Sequence, residues 1–184
     1  MLSLVTLPFR ALEPLGSAAL ERVRSRLVLR PPPASERDVV VLLSRADMGR
    51  RRSLRNQPNL LSALRATLRA QHRLEVYEGS QHRSLVETAA LFSRAALITG
   101  PHGGAFLNMV YCAPGTPVVE IGYLQRSPMA YPSYYHTMAR RLGLPFWVVL
   151  AEGGYERPLT APVGQCTRTV SAALYGAGAD HACP

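Results

Sequence analysis

The chain has no lysine: all 21 of its basic side chains are arginines, set against only 12 acids for a net charge of +9. A GC-rich coding sequence would produce that bias by itself. A surface made cationic only by guanidinium nonetheless suits phosphate, since the planar fork takes two oxygens at once. Cysteine is scarce as well. Cys112, Cys166 and Cys183 show neither a CxxC pair nor zinc-ligand spacing, which excludes the common zinc and redox motifs. Cys112 reads as a core residue, and a Cys166–Cys183 pairing stays open. No Asp-x-Asp pair occurs, and no apolar run reaches the length of a membrane span. The first ten residues are too short and poorly flanked for a signal peptide. Aromatics make up 7% of the chain and the arginines are dispersed, apart from residues 50–55. That argues against a base-stacking groove for single-stranded nucleic acid.

The 184 residues, 47% hydrophobic and 18% charged, suffice for one folded domain with a real core. The reading divides them into a leader helix and proline-rich linker (1–33), a Rossmann-like nucleotide-sugar-binding domain (34–155) and an irregular tail (156–184). A helix is predicted over 17–29, and Pro31, Pro32 and Pro33 stop it. DVVVLLS, residues 38–44, is the clearest strand, and Pro58 opens a helix to about residue 71. A strand follows at 73–77, and Ser84 with Glu87 forms a capping box ahead of a helix ending near residue 94. Later come a helix over 133–142, stopped by Gly143, a strand over 146–150 and a short helix near 170–175. Alternating strands and helices predict an α/β fold with a parallel, doubly wound sheet.

The most informative stretch is residues 96–123, ALITGPHGGAFLNMVYCAPGTPVVEIGY. It reads as a buried strand (96–99), a loop with Gly100, Gly103 and Gly104, a packed helix (105–112), a Pro114-Gly115 turn and a strand (117–121). The loop amides at a helix N-terminus suit phosphate. Glu120, read at the tip of its strand, is placed to take ribose hydroxyls, so the unit suits a nucleoside diphosphate. An ordinary salt bridge is the plain alternative for Glu120. His102 reads either as a capping or supporting histidine or as a donor to phosphate or sugar. Asn56 reads first as a helix cap.

These pieces, in order, resemble the family-61 glycosyltransferases. That group includes plant β-1,2-xylosyltransferases and the EGF-domain and O-mannose N-acetylglucosaminyltransferases. Carrying the resemblance are Ser44-Arg45, the arginines running to Arg55-Asn56, Glu78, Glu87 and Phe92. GPHGGAFLN (100–108), PGT (114–116), Glu120, Tyr135, Ala139 and Gly143-Leu144 complete the set. The family usually has His-Gly-Ala-Gly where this chain has His102-Gly103-Gly104-Ala105.

The resemblance covers residues 38–150 and implies the C-terminal, donor-binding half of a GT-B enzyme. The acceptor domain would lie in a missing N-terminal part or a partner chain. The implied reaction is inverting transfer from a UDP-sugar to a hydroxyl of a glycoprotein or polysaccharide, without metal or other cofactor, in the Golgi or endoplasmic reticulum. By resemblance, Arg45 with Arg52 or Arg55 contacts the diphosphate. His102, the catalytic candidate, and the amides of Gly103 and Gly104 meet phosphate or donor sugar, Asn108 orients the loop and Glu120 takes the ribose. The general base is unassigned, with His102 and Glu78 as fallbacks. No nucleic-acid partner is expected. The competing readings are a hydrolase built on His102, a basic polyanion- or RNA-binding module and an inactive remnant.

Overall fold

The computed structural model describes residues 31–49, 51–80, 83–124 and 134–176, together with Ala18, Arg22, Ser25 and Arg26, each helical. The rest of the predicted leader helix, Arg50, His82, Ser133 and Cys183 lie outside the described residues.

Five parallel strands form one sheet. They are β1 (Val39–Ser44), β2 (Arg73–Glu78), β3 (Ala95–Pro101), β4 (Val118–Gly122) and β5 (Phe146–Leu150), in the spatial order β2-β1-β3-β4-β5. Every β1 residue is buried, as a strand covered on both faces must be. Val39, Val41 and Leu43 join one core cluster, while Val40 and Leu42 join the other.

The helices α2 (Leu85–Ser93) and α3 (Tyr134–Leu142) cover the first face through Phe92, Tyr135 and Ala139. On the second face lie α1 (Gln57–Thr67), through Leu60 and Leu64, and α4 (Val163–Tyr175), through Cys166 and Val170. The architecture is therefore a Rossmann-like α/β fold. Each fully buried leucine or phenylalanine contributes roughly 1.5–3 kcal/mol of transfer free energy. The Ser84–Glu87 capping box is present, with both reciprocal bonds formed. No helix among the described residues is long and apolar enough to cross a membrane.

Two sequence expectations are corrected. Residues 156–184 are not an irregular tail throughout. A two-stranded hairpin, β6 (Glu152–Gly154) with β7 (Arg157–Thr160), precedes α4, and Leu159, Cys166 and Val170 lie in the core. Their apolar positions sit at 166, 170, 173 and 174, a helical stripe that the flanking glycines and prolines obscured. The helix expected at 105–112 is a 3₁₀ segment, Gly104–Tyr111. Phe106 N–H bonds to the Gly103 carbonyl and Cys112 N–H to that of Met109, three residues back. Spacing by three aligns Phe106 and Met109 on one buried side.

Candidate active site

Strand order reverses between β1 and β3: β2 lies on one side of β1, while β3, β4 and β5 continue on the other. In sheets of this kind the crevice beyond the carboxyl ends of such a strand pair is the place for a ligand. Here those ends are Arg45, directly after β1, and His102-Gly103, directly after β3. Gly100, at φ +150°, lets the two strands close up. A Cβ there would stand 2.6 Å from the Leu43 carbonyl oxygen. At Gly103 the space a Cβ would need is taken by the Arg45 guanidinium.

Arg45 is buried, and its Nε donates to the Arg51 carbonyl at 3.3 Å. Burial lowers its pKa, and the charge of Arg52 lowers it further. The charge of Arg52 therefore reaches Arg45, and neither guanidinium forms an ion pair among the described residues. Arg52 adopts φ 56°, rare for a side chain of its size. Its guanidinium lies 4.5 Å above the Tyr155 ring and its buried Nε has no hydrogen-bond partner.

The hairpin β6–β7 fixes this arginine strap. Arg52 and Arg55 donate backbone N–H bonds to the Arg157 and Leu159 carbonyls, and Leu159 donates back to Ser53. Arg51 adds an exposed ion pair to Glu156 at 2.6 Å. Asn56 is not the expected side-chain cap. Its amide donates to the Ala161 carbonyl at 2.8 Å and accepts from the Ala161 N–H at 3.0 Å, tying the strap to the start of α4.

His102 and Glu120 meet beneath this strap. Glu120 is the third of five β4 residues rather than its tip, and it is wholly buried. Its Oε1 accepts from His102 Nδ1, which holds the ring in one orientation and one tautomer. The other carboxylate oxygen, Oε2, is buried without a hydrogen-bond partner. Tyr135 packs 5.0 Å from the His102 ring and 5.3 Å from Phe106. Burial, reinforced by the Glu120 charge, raises the Tyr135 hydroxyl far above its ordinary pKa, so it stays protonated. Tyr123 meets the other edge of His102 at 5.8 Å.

Arg45, Arg52, His102, Gly103 and Glu120 are thus brought together, with Gly104 exposed at the loop's outer end. Arg55 is exposed and joins the fold through its backbone. Asn108 is half-buried on the 3₁₀ segment, with no side-chain hydrogen bond among the described residues. Glu78 ends β2 and accepts from Ser44 Oγ at 3.1 Å. His72, by contrast, lies at the opposite end of the sheet, bonded to Tyr175. Sequence reasoning missed Tyr123 and Tyr155 as walls of the site and named Tyr135 only as part of the family resemblance. A tyrosine directly after an apolar strand is a weak signal that was there for Tyr123.

The family model described as Glycosyltransferase 61 matches residues 3–119, and the chain belongs to that family. No curated protein matches the chain.

Proposed function

We propose that this family-61 glycosyltransferase domain holds the diphosphate of a UDP-sugar in the crevice between β1 and β3. The sugar is then transferred, with inversion, to a hydroxyl of a protein or glycan acceptor. The observation that carries the reading is the pair Arg45 and Arg52 at the strand switch: two cations near enough for one charge to act on the other, held by backbone and ring contacts and without an ion pair among the described residues. Two such cations cost electrostatic free energy unless an anion joins them.

The departing diphosphate gains charge in the transition state, and fixed guanidiniums stabilise that charge without a metal or other cofactor. The Gly103 and Gly104 backbone lets the phosphates come close. The His102 N–H is already bonded to the Ile121 carbonyl, so the histidine contributes through its ring. His102, oriented by Glu120, touches the donor sugar or the β-phosphate. Glu120 therefore acts through His102 as a positioning residue, in place of the ribose contact expected from the sequence, because its carboxylate is wholly buried. The base for the acceptor hydroxyl comes from the acceptor side, in a further domain or a partner chain. The reaction belongs in the Golgi or endoplasmic reticulum, where glycoprotein acceptors are found.

Calorimetric titration with UDP, GDP, ADP and a short RNA, at low salt and at about 0.15 M, tests this. Selective UDP binding that persists at the higher salt and is lost in Arg45→Ala supports the proposal. RNA binding that collapses with salt, with no nucleotide preference, overturns it.

A further inference from the structure

The two edges of the sheet are finished differently. Along β2, Arg73 pairs with Asp38 and Glu75 (3.3 and 2.6 Å) and Arg83 with Glu75 (2.9 Å). Charged side chains of this kind protect an edge from further pairing. β5, the opposite edge, reads FWVVL and carries no charge. It leaves Trp147, Val148 and Leu150 exposed by 39%, 38% and 45%.

The backbone on that edge has a definite polarity. Val118 N–H bonds to the Pro145 carbonyl and Ala151 N–H to the Gly122 carbonyl. The odd-numbered residues therefore face β4. The N–H and C=O groups of Phe146, Val148 and Leu150 point outward, and no strand lies beside them among the described residues.

An antiparallel copy of β5 centred on Val148 meets this row in register. Val148 stands opposite Val148 of the partner subunit, and Phe146 opposite the partner's Leu150. All the facing residues are then of the outward, hydrogen-bonding kind, and the apolar side chains on one face adjoin. The same register sets Leu144 opposite the partner's Glu152. Beside Leu144 is an open pocket lined by His136, Arg140, Pro145 and Phe146. Arg140 and Glu152 are exposed, and neither has an ion-pair partner among the described residues. A two-fold axis through Val148 then turns the Arg140 end of each copy toward the Glu152 end of the other, twice over.

We propose that β5 is a self-association edge, joining two copies of this chain into one continuous sheet through antiparallel β5–β5 pairing with Arg140–Glu152 contacts at both ends. The inference is independent of the donor-binding reading, because β5's outer edge is separate from the β1–β3 crevice.

Sedimentation equilibrium of the full chain at about 0.15 M salt, where the general repulsion of the +9 charge is screened, is the test. The expected species has twice the 20.1 kDa chain mass, and Val148→Lys, which sets two cations face to face, returns it to monomer. Arg140→Glu and Glu152→Arg each weaken the dimer about fivefold or more. Mixing these two single variants restores association, because the mixed pair has opposite charges at both ends. A circular dichroism spectrum unchanged from the parent shows that each variant is folded. A monomer at every concentration overturns the proposal. So does a dimer indifferent to Val148→Lys, or a mixture no stronger than its components.

Discussion

The Arg45 guanidinium occupies the space that a Cβ on Gly103 would need. A side chain at the end of β1 and a glycine after β3 are thereby locked into one arrangement at the strand switch. Gly103→Ala is expected to leave the fold intact, since the displaced atoms are the far end of a flexible side chain. It should reduce UDP affinity about tenfold or more by pushing the cation out of place. One lost charge-assisted contact is worth about 1.5–3 kcal/mol. Calorimetry on the variant checks this, and affinity within twofold of the parent would remove Arg45 from the phosphate site.

The arginine strap separates two residues that look equivalent in sequence. Arg52→Ala should weaken UDP binding by at least about tenfold, because its charge acts on the Arg45 position and its buried Nε has no hydrogen-bond partner. Arg55→Ala should change it less than about twofold, because that side chain is exposed and turned to solvent. Equal effects in the two titrations would contradict this assignment.

His102 and Glu120 should behave as one unit. If Glu120 acts by holding the imidazole, the losses in donor affinity from His102→Ala and Glu120→Gln will not add. The double variant should then be barely worse than His102→Ala, with a coupling of at least about 0.5 kcal/mol in the cycle. A direct ribose contact predicts additive losses instead.

Asn56 gives a stability prediction that discriminates a cap from a clamp. Asn56→Ser retains a good helix cap but cannot both donate to and accept from Ala161. It is expected to destabilise the protein by about 1–3 kcal/mol, nearly as much as Asn56→Ala. Urea unfolding measures both, and full rescue by serine would mean that capping is the residue's contribution.

Far from the site, burial lowers the pKa of His72, whose ring meets the Tyr175 hydroxyl at 2.9 Å. The nearby Asp38 charge opposes that shift and Arg69 adds to it. The unfolded chain therefore binds a proton more readily than the folded one. This contribution to stability is complete above the unfolded value of about 6.5 and is lost as pH falls through the lower folded value. The Tm should drop on acidification from about pH 6.5, with a smaller drop in His72→Gln. Identical pH profiles for the two proteins would rule the effect out.

The sheet was legible because its information is local. The runs at 38–44 and 146–150 could only be strands buried on both faces or at an edge, and the Ser84–Glu87 box marks a helix start by its own chemistry. The glycine pattern at 100–104 likewise announced a close approach of backbones, since only absent Cβ atoms permit it. Local pattern could not tell 3₁₀ from α at 104–111. The two helices differ by one hydrogen-bond step, which the packing of Phe106 and Met109 decides. It also marked only the end of α4, near 170–175, because the apolar stripe of its first turns becomes meaningful only against the second face of the sheet.

By itself, then, the sequence determined that the chain forms a parallel α/β sheet with a glycine loop and arginines at its carboxyl rim. Tertiary structure alone decided which groups act on one another: the Arg52 charge on Arg45, Glu120 on His102, and Asn56 on Ala161. Secondary structure follows from periodicities of two to four residues along the chain. The site is made of contacts between residues up to about a hundred positions apart, such as Asn56 and Ala161, and strand order and burial set those contacts.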